Sequence, residues 1–138
     1  MGIELDADLV PGVAAAGIAI GQPIEAVLKL AVPDSIEPRV GLRVLKFGPV
    51  WVFDRDGRVN HVCVFAGYRG RLAGSIGVGS LVSEVEAAFG PVEDLEWDEY
   101  QVPAMPGWCF AVERGSPAIG QPGWASVRLE ALCISEAT

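Results

Sequence analysis

One short pattern occurs twice in this chain, 58 positions apart, and it constrains the fold more than anything else. Gly17-Ile18-Ala19-Ile20-Gly21-Gln22-Pro23-Ile24-Glu25-Ala26-Val27 aligns with Ser75-Ile76-Gly77-Val78-Gly79-Ser80-Leu81-Val82-Ser83-Glu84-Val85. Ile18, Ile20, Gly21, Ile24 and Val27 fall on Ile76, Val78, Gly79, Val82 and Val85. Each copy reads as an extended apolar pair, a turn at the glycine, and a short amphipathic helix. Pro23 suits the start of the first helix, where its missing N–H has no partner to lose. In the second copy Ser80 reads as the N-cap, with Glu84 near the positive end of the helix dipole. Pro33 ends the first helix, and Gly90-Pro91 ends the second.

Strand signals follow each helix. Residues 40–47, 50–54 and 59–65 read as a three-strand meander. Asp56-Gly57 supplies the hairpin turn between the last two. Residues 108–113 and 126–134 read as strands, joined by the Gly- and Pro-rich stretch 115–123. The expected architecture is α+β: two tandem helix-plus-antiparallel-meander repeats forming one twisted sheet, with both helices on one face. At 138 residues the chain reads as a single domain, residues 1–138, with halves of about 13–70 and 71–135.

The formal net charge of −8 disfavours direct contact with nucleic acid or an anionic membrane, which basic residues make. It favours a basic partner. The charge is unevenly placed. Residues 39–71 carry Arg39, Arg43, Lys46, Arg55, Arg58, Arg69 and Arg71 against Asp54 and Asp56. Residues 84–99 carry Glu84, Glu86, Glu93, Asp94, Glu96, Asp98 and Glu99 with no Lys or Arg. The acidic N-terminal stretch Glu4, Asp6, Asp8 lacks the basic start of a signal peptide. The run from Leu9 to Ile20 is short and broken by Pro11-Gly12, so no membrane span is expected. Asp6 stands where a myristoylation start wants Ser or Thr. A cytoplasmic protein is expected. Cys63, Cys109 and Cys133 are dispersed, odd in number and set in apolar runs. They read as buried free thiols in a reducing compartment, without disulfides.

Motifs for chemistry are sparse. His61, the sole histidine, has no local nucleophile or acid partner and reads as a strand residue. The glycines at 70, 74, 77 and 79 lack both the Lys of a P-loop and the third glycine of a dinucleotide fingerprint. One histidine and three scattered cysteines make no zinc pattern. No cofactor is expected. Trp51, Trp108 and Trp124 read as core or sheet-surface residues. The candidate site is the acidic run. Glu93, Asp94, Glu96, Trp97, Asp98, Glu99 and Tyr100 combine carboxylates with two aromatic anchors, the pattern of a protein interface with electrostatic steering.

Ile76-Gly77-Val78-Gly79 followed by Val85, Phe89, Gly90 and Pro91 resembles the β-lactamase-inhibitor-like family of small repeated domains. The first copy departs from that pattern, ending in Ala31-Val32-Pro33. The resemblance implies the repeated α+β fold. In size, acidity and lack of catalytic motifs the chain also looks like the small immunity proteins of bacterial toxin systems, including contact-dependent inhibition. That resemblance implies a tight complex with a basic toxin domain. Two other functions stand beside it: a small enzyme using carboxylates or His61, and a structural or homodimeric assembly module. The oligomeric state is not legible in the sequence.

Overall fold

A computed structural model describes residues 2–137. A small hairpin, β1 (Ala14–Ala15) and β2 (Ile18–Ala19), precedes helix α1 (Ile24–Leu30). Four strands follow: β3 (Ser35–Arg39), β4 (Leu42–Phe47), β5 (Val50–Arg55) and β6 (Arg58–Val64). A long crossing segment leads to helix α2 (Val82–Phe89), then β7 (Glu93–Glu96), β8 (Glu99–Gln101) and β9 (Trp108–Val112). A 3-10 turn at Trp124–Ser126 precedes the last strand, β10 (Leu129–Ser135). The fold is mixed α+β. Among the described residues its main sheet has eight strands in the order β3-β4-β5-β6-β10-β9-β8-β7, every neighbouring pair antiparallel.

Alternation along the strands gives the sheet two different faces. Leu45, Val52, Val62, Ile134 and Trp108 lie opposite one another on successive strands, and all belong to the core. A second core row runs Phe47, Val50, Val64, Leu132, Phe110, Tyr100. Ile24 and Val27 of α1 and Val82 and Val85 of α2 are buried in the same cluster. These helices are too short to hold themselves in water, so this burial is what sustains them. The other face carries one row across all eight strands: Ser35, Lys46, Trp51, Cys63, Cys133, Cys109, Gln101 and Glu93.

The expected Asp56-Gly57 turn is present. Both residues have positive φ, and Arg55 pairs with Arg58 across a two-residue loop. Asp54 is buried there. It accepts from Arg43 Nε at 2.6 Å and from the Gly57 amide at 2.9 Å. Ser80 does not cap α2. Its hydroxyl accepts from the Gly77 amide at 3.0 Å, and the helix begins after Leu81, whose amide donates to Glu84 Oε1 at 2.8 Å. The extended ψ of Leu81 sets the helix start one residue late for Ser80.

The N-terminal segment is tied to the crossing segment by Tyr68. Its hydroxyl donates to the Ala7 carbonyl and accepts from the buried Ala16 amide at 3.0 Å. Gly70 is required at this junction, since a Cβ there would collide with the Ala7 carbonyl oxygen.

The expectation of three free thiols is overturned. Cys63 and Cys133 form a disulfide across the β6–β10 seam, with Cα atoms 4.0 Å apart. They are 70 residues apart in sequence, and only strand register makes them neighbours. Cys109 is free. Among the described residues, no helix is long and apolar enough to cross a membrane.

Candidate functional site

The acidic run folds as a β-hairpin, not a loop. β7 and β8 are joined by the two residues Trp97 and Asp98, with Glu96 opposite Glu99. A bulge at Leu95 separates the Asp94–Tyr100 pair from the Glu96–Glu99 pair. Alternating polarity is weak in this run, so the sequence carries little strand signal. Pairing with β9 through Glu99–Ala111 and Tyr100–Phe110 provides what local propensity lacks.

The tip is conformationally unusual. Glu96, Trp97 and Asp98 have φ of 75°, 56° and 61°. Left-handed backbone is disfavoured for L-residues with a Cβ, and two-residue hairpins of this type prefer Asn-Gly. The Asp94 carboxylate holds the bend by accepting from the Glu96 amide at 2.6 Å. Gln101 Nε2 donates to Glu93 Oε1 at 3.1 Å across the hairpin.

Six of the seven expected site residues are available to a partner. Glu93, Asp94 and Glu96 are exposed on β7, and Asp98 and Glu99 are half-buried. Trp97 is 87% exposed at the tip. Tyr100 is different. It is 4% exposed, its ring 5.6 Å from Phe110 and 4.7 Å from Trp124. Burial, and then Asp94 and Asp98, push its phenol above the ordinary range. Tyr100 anchors the hairpin to the core and offers no surface to a partner. No local pattern sets it apart from the acids, since exposed Asp94 is its direct partner across the hairpin; pairing with Phe110 of β9 is what draws it inward.

β7 is the outermost strand of the sheet, so one side of its backbone pairs with no strand among the described residues. The five hairpin carboxylates enter no ion pair among the described residues, whose salt bridges join Glu37 to Arg39 and Lys46, and Asp54 to Arg43. The basic residues of β3 to β6 are kept from the acidic hairpin by β10 and β9. Followed along the sheet at roughly 4.8 Å per strand, the path between its two edges is about 34 Å. The charge asymmetry of the sequence thus becomes a polarity of the sheet.

Other chemistry-bearing groups lie elsewhere. A cleft of about 590 Å³ is lined by Arg55, Asp56, Arg58, Asn60 and Glu136, with Gly12, Ile20, Gly21 and Val59. His61 does not line it. Its Nδ1 lies 2.9 Å from Asn60 Nδ2. The chain matches no family model, and no curated protein or solved structure is significantly similar to it.

Proposed function

We propose that this chain is an immunity-type binding protein that neutralises a toxin domain by docking its acidic hairpin on a basic surface of that domain. The observation that carries the reading is Trp97, 87% exposed at the hairpin tip and flanked by carboxylates that have no counter-ion among the described residues. An exposed indole with surrounding unpaired charge is the composition of an interface anchor with a steering rim. A single large apolar side chain held in strained backbone also fits a residue retained for contact rather than for folding.

The reading includes the architecture expected from the repeat: two copies of a helix-plus-meander unit, both helices on one sheet face. Its support is the burial of Ile24, Val27, Val82 and Val85 in one cluster with the inward strand residues. It also includes a cytoplasmic setting. The Cys63–Cys133 bond weighs on the other side, since lasting disulfides belong to oxidising compartments.

A second reading, self-association, has one observation in its favour. Val32, Ile36 and Val40 are exposed in and around the other edge strand, β3. Pro38 in that strand removes an amide and works against strand pairing there.

The test is a pull-down from the source lysate at low and moderate salt, followed by titration of the captured partner with wild type and the E96K/D98K double variant. A basic partner lost on charge reversal supports neutralisation. Unchanged affinity removes the hairpin from the interface. A homodimer that persists without any captured partner selects the second reading.

A further inference from the structure

We propose that Cys109, Cys133 and Cys63 form a disulfide-exchange site, in which the Cys109 thiolate attacks Cys133 and moves the bond from Cys63–Cys133 to Cys133–Cys109. The three residues are direct partners on adjacent strands, Cys63 opposite Cys133 and Cys133 opposite Cys109. Directly opposed residues point to the same face of a sheet, so the three side chains stand in one lateral row. Cys133 is the middle member. A thiolate attacks a disulfide along the line of the bond it breaks. A row with the attacker on one side of Cys133 and the leaving sulfur on the other provides that line.

Backbone pairing separates the two positions. The Ser135 amide donates to the Gly107 carbonyl at 3.0 Å, so this register of β10 hydrogen-bonds toward β9. Cys133, two residues away, therefore faces Cys109 in a hydrogen-bonded pair and Cys63 in the closer non-hydrogen-bonded pair. The bond sits on the closer pair, and the free thiol waits on the wider one.

The exchange balances without an outside oxidant. Cys109 gives its proton to solvent base, and its sulfur lone pair forms the new bond to Cys133 Sγ. The electron pair of the old bond leaves with Cys63 Sγ, which takes up a proton. One S–S bond forms and one breaks, with no net oxidation. The consequence is mechanical. The original bond staples β6 to β10, the seam between the N-terminal and C-terminal strands. The new bond staples β9 to β10 and leaves that seam to backbone pairing and packing.

At neutral pH the site is held closed. Burial, with Glu99 on β8 adding to it, pushes the Cys109 thiol up to about 11. In its own row Cys109 faces Gln101 on β8 and Cys133 on β10, neither of them a cation.

Disulfide mapping tests this directly, because trypsin places the three cysteines in separate peptides, residues 59–69, 72–114 and 129–138. Folded, oxidised full-length protein is incubated at pH 7 and at pH 10 under conditions where circular dichroism stays native. It is then quenched in acid, alkylated and mapped. The expected result is the Cys133–Cys109 linkage appearing at pH 10 at least tenfold faster than at pH 7, with no Cys63–Cys109 linkage. Cys63→Ser, oxidised in the same way, is expected to form Cys133–Cys109 alone. Persistence of Cys63–Cys133 as the sole linkage at pH 10 would overturn the proposal. So would appearance of Cys63–Cys109, since β10 lies between those residues and that pair forms only after unfolding. If Cys63→Ser does not fold, the wild-type map decides by itself.

Discussion

The imidazole of His61 lies stacked on the ring of Phe53, centroids 3.9 Å apart and planes 20° from parallel. Burial, and secondarily Arg55, lower its pKa to about 4. The unfolded chain holds it near the ordinary value of about 6.5. Between those two values the unfolded state binds more protons. Stability is therefore full above about pH 6.5 and falls as pH drops toward 4, by at most about 3 kcal/mol from this group. Urea melts of wild type and His61→Leu at pH 7, 5.5 and 4.5 isolate the effect. The variant is expected to lack this part of the acid loss, and parallel curves would show that His61 does not titrate this way.

The hairpin tip sets folding against binding. Replacing Trp97-Asp98 with Asn-Gly puts the preferred residues into a turn whose central φ values are both positive. The midpoint in urea is expected to rise by about 1 kcal/mol of stability. Partner affinity is expected to fall at least tenfold. A stabilised variant that still binds like wild type would show that Trp97 is not the anchor.

Trp97→Ala alone separates contact from fold. With the side chain exposed, Tm is expected to stay within about 2 °C, since surface changes usually stay within about 0.5 kcal/mol. Loss of an interface anchor costs roughly 2 kcal/mol or more of binding. Calorimetric titration at two salt concentrations reads both the anchor and the steering charges. A salt-independent affinity would count against the carboxylates.

Tyr68→Phe removes one hydroxyl that serves two backbone groups, the Ala7 carbonyl and the Ala16 amide. Ala16 is fully buried, so its amide loses its partner where water cannot reach it. The expected loss is about 2 kcal/mol in a denaturant melt. Protection of the Ala16 amide against hydrogen exchange should fall with it. A neutral substitution would mean that the N-terminal segment does not depend on this bond.

The Cys63–Cys133 bond closes a loop across 70 residues. Its chain-entropy effect is about 4 kcal/mol. Reduction with dithiothreitol and the Cys133→Ser substitution should each lower stability by up to that amount. Identical melts with and without reductant would show that the bond does not form in the isolated protein.

Much of the local structure was legible in the residues. The meander from β4 to β6 and its Asp56-Gly57 turn followed from apolar runs and turn chemistry. β9 and β10 followed from the same signals, with ends shifted by one to three residues. β3 was not readable, because Pro38 and three polar side chains in Ser35–Arg39 argue against a strand. It exists as an edge, where one side of the backbone needs no partner and a missing amide is tolerated. β7 was hidden for a similar reason, since all four of its side chains are exposed.

By itself the sequence determined the mixed α+β character, the two short helices, the acidic excess and the segment that carries it. Those depend on residue type and spacing within a few turns of chain. Only the tertiary structure decided which distant residues meet. Register across β6 and β10 turned two of three dispersed cysteines into a bond and set the third beside it. Strand order put the acidic and basic stretches toward opposite ends of the sheet. Parity opposite Phe110 drew Tyr100 inward and left Trp97 in solvent. Pairing between strands far apart in sequence is a long-range choice, made by the burial of a whole face at once, and no local pattern contains it.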